Sequence, residues 1–279
     1  MSEYSNKLRN EGVLTINNVI KSDEFTKLKK GYLRYWDEIN LSNEKDDLES
    51  KRKNLEKIVD FCPEIFNILE NADISKTLKD YLGDGFKITG IYGTRSKPQN
   101  FIPNEKDISE IENSNYNILL YHHDQDGRQI KLIIPLSEIN ENQNCLEYAV
   151  GSNKMSWLDK IVVKFLNLFG YYKNWRQPII NHLFNLLKKK NNYQFYNENE
   201  IKKKYKIKSV IANIGDVYLF DTCGYHRQKI GNEKTDFSKL RETIFVDIMP
   251  NNEWFKKKKM VMNFKSLSED NQLKMSKYL

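Results

Sequence analysis

Tyr116-Asn117-Ile118-Leu119-Leu120-Tyr121-His122-His123-Asp124-Gln125-Asp126 is an apolar, strand-like run that ends in two imidazoles and a carboxylate. In an extended chain, residues two apart share a face. His122 and Asp124 therefore project together, with Tyr116, Ile118 and Leu120 on the side of His122, while His123 points the other way. The chain holds only four histidines. A third, His226, comes roughly a hundred residues later, after a second strand-like run, Asp216-Val217-Tyr218-Leu219-Phe220-Asp221. A His-x-Asp pair with a distant His is the ligand set of the facial triad that leaves positions open on Fe(II) for a co-substrate and O2. His122, Asp124 and His226 are the expected metal ligands. The fourth histidine, His182, is expected to serve packing or the surface.

Fifteen residues beyond His226, Arg241 opens the run Arg241-Glu242-Thr243-Ile244-Phe245-Val246. An arginine that enters a sheet interior needs an anion. A bidentate guanidinium–carboxylate pair suits the far end of a dicarboxylate such as 2-oxoglutarate. Thr243, on the same strand face, adds a hydroxyl, and Tyr116 is expected in the same co-substrate pocket. Arg128 and Lys131 are candidate contacts for an acidic substrate.

Outward from these runs, the chain divides by period. Ser22 suits the cap of a helix with apolar Phe25, Leu28, Tyr32, Trp36 and Ile39 at helical spacing. Asp73 to Leu82 reads as another helix, stopped by Gly83. From Phe86 the pattern changes. Residues 86–92, 116–124, 132–136, 146–150, 210–214, 217–220 and 241–248 read as strands, with Gly215-Asp216 as a turn feeding one of them. Between Ser156 and Leu187 helical spacing returns in Trp157, Ile161, Phe165, Leu168 and Phe169, then Ile179, Leu183, Phe184 and Leu187, with Pro178 placed for a first turn. The expected fold is mainly β with flanking helices: a helical flank over 1–85, packed on one sheet of a β-sandwich or barrel over 86–250, a helical hairpin inserted at 156–190, and a C-terminal extension over 251–279. No repeat or low-complexity linker interrupts the chain, so 1–279 is expected to form one domain.

Composition narrows the function classes. Hydrophobic content of 39% and aromatic content of 12% fit a folded globule. No apolar run approaches the ~20 residues needed to span a bilayer, and Met1-Ser2-Glu3-Tyr4-Ser5-Asn6-Lys7 lacks the apolar core of a secretory signal. Cys62, Cys145 and Cys223 are an odd number without close pairing, which predicts a reducing cytoplasm over a disulfide framework. The net charge of +7 is spread over scattered lysines and short runs such as Lys188-Lys189-Lys190 and Lys202-Lys203-Lys204. No zinc-finger or RNA-binding signature accompanies it, so nucleic acid is not an expected partner. The aromatic hairpin beside lysines permits peripheral membrane contact. Nothing in the sequence reads the oligomeric state.

Four segments together, Tyr121-His122-His123-Asp124-Gln125-Asp126, Lys131 to Leu136, Glu147 to Lys154 and Gly215-Asp216 through His226-Arg227, resemble the phytanoyl-CoA dioxygenase family. The resemblance covers roughly residues 86–250, with an echo in Glu11-Gly12-Val13-Leu14-Thr15-Ile16. It implies a double-stranded β-helix (jelly-roll) core and an Fe(II)- and 2-oxoglutarate-dependent dioxygenase. His122, Asp124 and His226 would bind iron, and Arg241 would bind the 2-oxoglutarate carboxylate. The implied reaction is hydroxylation of a small molecule, anionic or lipid- or nucleotide-linked, with release of succinate and CO2. Related halogenases replace the carboxylate ligand by a small residue, so Asp124 argues for hydroxylation. The family's "GSH"-like turn here reads Gly151-Ser152-Asn153-Lys154. Two alternatives stay open: a cupin-type isomerase or non-2-oxoglutarate dioxygenase using the same ligands, and a catalytically inactive jelly-roll binding protein. An inward-facing Arg241 separates the first of these from the oxygenase.

Overall fold

The computed structural model describes residues 1–42, 57–96, 98, 119–122, 129–143, 145–154, 195, 196, 198–250 and 267–278. Two antiparallel five-stranded sheets form the β framework. The larger has the order β1 (Val13–Ile16), β8 (Val217–Asp221), β4 (Ile130–Pro135), β10 (Arg241–Met249), β2 (Lys87–Ser96). The smaller has the order β6 (Phe195–Tyr196), β3 (Tyr121–His122), β9 (His226–Gln228), β5 (Leu146–Ala149), β7 (Ile207–Val210). Helices flank them: α1 (Glu3–Glu11), α2 (Ser22–Ser42), α3 (Ile58–Phe61), α4 (Ile65–Glu70), α5 (Ala72–Leu82), α6 (Glu198–Lys204) and α7 (Glu269–Ser276). This is the mainly β, jelly-roll architecture expected from the sequence.

Alternation along the larger sheet sorts its side chains into two layers. Leu14, Leu132, Ile134, Leu219, Ile244, Val246 and Ile248 pack outward against Leu8, Leu28, Tyr32, Ile65, Ile74 and Leu78 of the helices. Val13, Ile133, Tyr218, Phe220 and the partly buried Phe245 pack inward against Cys145, Leu146, Tyr148 and Val210. Each fully buried aliphatic or aromatic side chain contributes about 1.5–3 kcal/mol, so these two layers hold the sandwich together. A register shift between Asp247 and Ile248 places one extra β2 residue opposite β10. That bulge lets Ile88 and Ile91 face the helices together.

Helix α5 forms where the sequence places it, whereas Ser22 is the first residue of α2 rather than its cap. Asn71 caps α5 by accepting from the Asp73 and Ile74 amides, and Gly83, at φ 95°, ends it. On α2, Leu28 and Tyr32 are buried as expected, but Tyr35 is buried beside them while Phe25 and Trp36 are only half-buried. The C-terminal segment joins this layer: α7 places Met275 in the helical core, and Tyr278 stacks on Phe86.

Two expectations are corrected. The N-terminal flank is not purely helical, because Val13–Ile16 forms edge strand β1 paired with β8. Its residues are nearly all buried, which erases the alternation that marks a half-exposed strand. The strand expected over 210–214 is instead Ile207–Val210, paired with β5. Beyond it Ala212 makes only an isolated bridge to Ile139. The Asp216 carboxylate, accepting from the amides of Asn213 and Asn18, closes a turn there. His226 opens a short strand of its own, β9. The inserted hairpin expected at 156–190 lies outside the described residues.

Candidate metal centre

Register brings the two histidines together. His122 of β3 and His226 of β9 are directly opposed partners of adjacent antiparallel strands, so their side chains leave the same face. Their ring centroids are 4.5 Å apart at an interplanar angle of 53°. Each ring is held by the same device. His122 Nδ1 lies 2.7 Å from the carbonyl of Leu120, and His226 Nδ1 lies 2.9 Å from the carbonyl of Gly224. A carbonyl only accepts, so Nδ1 carries the hydrogen in both rings and the lone pair of the neutral imidazole sits on Nε2. This is the tautomer that binds a metal through Nε2, with a backbone oxygen orienting the ring.

The surroundings are dry on one side and open on the other. His226 is 4% exposed, while His122 is half-buried. The Phe220 ring meets His226 edge-on at 4.9 Å, and the Tyr148 ring lies parallel to it at 6.4 Å. Gly224 is required here: a Cβ would stand 1.9 Å from the Tyr148 hydroxyl oxygen. Asp124 and Tyr116 lie outside the described residues, as do Arg128 and His182. Among the described residues no group of three His, Cys, Asp or Glu side chains is gathered.

Arg241 and Thr243 stand two apart on β10, on the face of Phe245 that looks into the sandwich. Arg241 is half-buried, and Thr243 is fully buried. The Thr243 hydroxyl is 2.6 Å from that of its cross-strand partner Thr94. Burial pushes the Tyr218 hydroxyl up to about 12, against the opposing pull of the Arg241 charge. The guanidinium is therefore close to Tyr218, and Tyr218 is two residues from the Phe220 that touches His226. Along one strand that separation is about 7 Å. Lys131, half-buried, is the register partner of Phe220 on one side and Asp247 on the other, which puts it on the same inner face.

Two residues of this region were not singled out in the sequence. Tyr218 read only as part of an apolar strand. Gln228, two residues past His226 on β9, is 5% exposed, and neither its Nε2 nor its Oε1 has a hydrogen-bond partner among the described residues. The only sequence signal for Gln228 is its spacing from His226, which places it on the same face once β9 is known to be a strand.

Behind the histidines, the outer face of the smaller sheet carries an ion-pair network. Arg227 Nε donates to Glu147 Oε2 at 2.7 Å, and its two terminal nitrogens donate to Glu198 of α6 at 2.9 and 3.1 Å. Its guanidinium carbon lies 4.4 Å from the centroid of the Tyr121 ring. Arg227 thus ties β3, β5, β9 and α6 together immediately behind the two histidines.

No protein-family model matches the chain, and no curated protein matches it in sequence. Solved structures do share its fold. A structure of EctD from S. alaskensis with 2-oxoglutarate and 5-hydroxyectoine superposes with a TM-score of 0.54 at 16% identity, covering 89% of this chain and 76% of that one. SnoK, a non-heme alpha ketoglutarate dependent carbocyclase from nogalamycin biosynthesis, gives 0.53 at 13% identity over 89% and 83%. The epimerase SnoN, in complex with Fe3+, alpha ketoglutarate and nogalamycin RO, gives 0.52 at 10% identity over 88% and 82%. At such identities the likeness establishes a common fold.

Proposed function

We propose that this chain is a non-haem Fe(II)- and 2-oxoglutarate-dependent oxygenase of the phytanoyl-CoA dioxygenase type, and that 1–279 acts as a single domain. The observation that carries the reading is the opposed pair His122 and His226, each with Nδ1 engaged by a backbone carbonyl and its lone pair on Nε2. Two imidazoles so prepared fit an iron ion, with Asp124 as the carboxylate that completes the set. Arg241 and Thr243 on the inner face of β10 would take the far carboxylate of 2-oxoglutarate. The buried Gln228 carboxamide supports a polar ligand in the same space, because a buried amide with neither atom partnered among the described residues marks a place that a bound molecule or water completes. Among the fold neighbours, SnoN is solved in complex with Fe3+ and alpha ketoglutarate, and EctD with 2-oxoglutarate and 5-hydroxyectoine.

In this reading the residues divide the work. His122, Asp124 and His226 hold the ion, and Phe220 and Tyr148 keep water from the His226 side. Arg241 fixes one end of the co-substrate through paired, charge-assisted hydrogen bonds. The Thr94 hydroxyl in turn fixes that of Thr243. An iron ion held by these residues would supply O2 activation coupled to oxidative decarboxylation of the co-substrate, with one oxygen atom going to succinate and the other to the product. Hydroxylation of a small molecule is the proposed outcome, since Asp124 retains the carboxylate. Lys131 on the inner face favours an anionic substrate, and three unbridged cysteines favour a reducing cytoplasm. The cupin-type alternative has no use for an inward arginine on β10, so the placement of Arg241 weighs against it.

Succinate release measured with Fe(II), 2-oxoglutarate, ascorbate and O2 tests the proposal. Slow substrate-free turnover is expected from the parent protein and at least a hundredfold less from His226→Ala. Release that is equal in the two proteins would refute it.

A further inference from the structure

The turn that supplies the Gly224 carbonyl is itself pinned by a buried carboxylate. Asp221 is 1% exposed. Its Oδ1 accepts from the Cys223 amide at 2.9 Å, across the turn, and its Oδ2 accepts from the Tyr81 hydroxyl of α5 at 2.5 Å. The Asp221 backbone is held as well. Its amide donates to the Gly12 carbonyl at 2.8 Å, and its carbonyl accepts from the Tyr148 hydroxyl at 2.8 Å and from the Gly224 amide at 3.1 Å. Further out, Asn153 Nδ2 donates to the Tyr81 hydroxyl at 3.2 Å, and the Ser152 hydroxyl accepts from the Tyr225 amide at 2.8 Å. The turn before His226 is thereby fastened to β5, to α5 and to the end of α1.

We propose that Asp221 is a positioning residue for the metal centre: by fixing the Asp221–Gly224 turn it aims the Gly224 carbonyl at His226 Nδ1, and so sets the tautomer and ring orientation of His226. This rests on the reading of His226 as a metal ligand. The chain of contacts is short and directional: Tyr81 hydroxyl to Asp221 carboxylate, carboxylate to Cys223 amide, Gly224 carbonyl to the imidazole. A carboxylate desolvated to this degree is costly to keep, and an apolar residue would fill the space without orienting the turn. Groups that orient a metal-binding histidine typically alter metal affinity about 10- to 100-fold when removed.

The test uses full-length, metal-free protein with two readouts, Ni(II) titration calorimetry and long-range 1H–15N spectra of the imidazole rings. The parent is expected to show His226 as the Nδ1-protonated tautomer. Asp221→Ala is expected to bind Ni(II) about 10- to 100-fold more weakly and to show a mixture of His226 tautomers. Asp221→Asn is expected to restore both. Its amide oxygen still accepts from the Cys223 amide, and the Tyr81 hydroxyl can turn to accept from the amide nitrogen. A folded Asp221→Ala protein with parental affinity and a parental tautomer would overturn the proposal. If that variant does not fold, Tyr81→Phe leaves Asp221 in place and removes the donor to its Oδ2, together with the acceptor of the outer Asn153 contact. Mixed His226 tautomers in it support the proposal, and a parental spectrum overturns it. Failure of the parent to bind Ni(II) would count against the metal reading alone, because the ring spectra still report on Asp221.

Discussion

Arg241 is where a single side chain separates one chemistry from another. Its guanidinium stands on the inner face of β10, near enough to Tyr218 to counteract the effect of burial on that hydroxyl. Removing one partner of a desolvated charge pair costs about 2–5 kcal/mol. Arg241→Met is therefore expected to raise the KM for 2-oxoglutarate about thirtyfold or more, with metal affinity unchanged, as read from succinate release against co-substrate concentration and from Ni(II) titration. An unchanged KM would remove Arg241 from the co-substrate pocket. At this scale the sequence was informative for residues whose chemistry is rare. Two of four histidines proved to be opposed partners, and the inward direction of Arg241 follows from its place on the strand. It was uninformative for Gln228 and Tyr218, whose types are common and whose role depends on which face a strand turns inward.

Helix α6 and strand β9 form a unit behind the centre, joined through Arg227 and Glu198. Burial by itself would raise the Glu198 carboxyl, but the hydrogen bonds from Arg227 and Lys202 hold it below its ordinary value of 4.5. A depressed carboxylate contributes stability that is present above that ordinary value and is lost as the pH falls through the lower folded value. Glu198→Gln is thus expected to be less stable than the parent at neutral pH, with the difference closing as the pH drops well below 4.5. Urea denaturation over a pH series checks this, and a gap that stays constant in acid would contradict it. Elements with a strong period or a clear stop were legible in advance, as α5 with Gly83 at its end shows; the Asn71 cap came to light only in the structure. Strand β1 was not legible, because burial on both faces leaves no alternation. The end of β7 was missed because the Asp216 carboxylate, not the apolar pattern, decides where the chain turns.

The whole molecule is a two-sheet sandwich whose larger sheet is covered by helices and whose inner layer runs from Arg241 and Tyr218 to Phe220 and the histidine pair. Strand spacing was enough to read a β-sandwich or barrel, and the resemblance of four segments implied the jelly-roll. The pairing that unites β3 with β9 could not be read, since local sequence carries no register between strands so far apart. Yet that register is what brings the two imidazoles together, because a slip of one residue would turn His122 or His226 to the outer face. Anaerobic titration of the purified protein with Fe(II) in the presence of 2-oxoglutarate, followed by visible charge-transfer absorption, is the most direct measurement. The expected result is a band that saturates at one iron per chain and is absent from both His122→Ala and His226→Ala. A band that persists without His226, or no band in the parent protein, would mean that the two imidazoles do not share an ion.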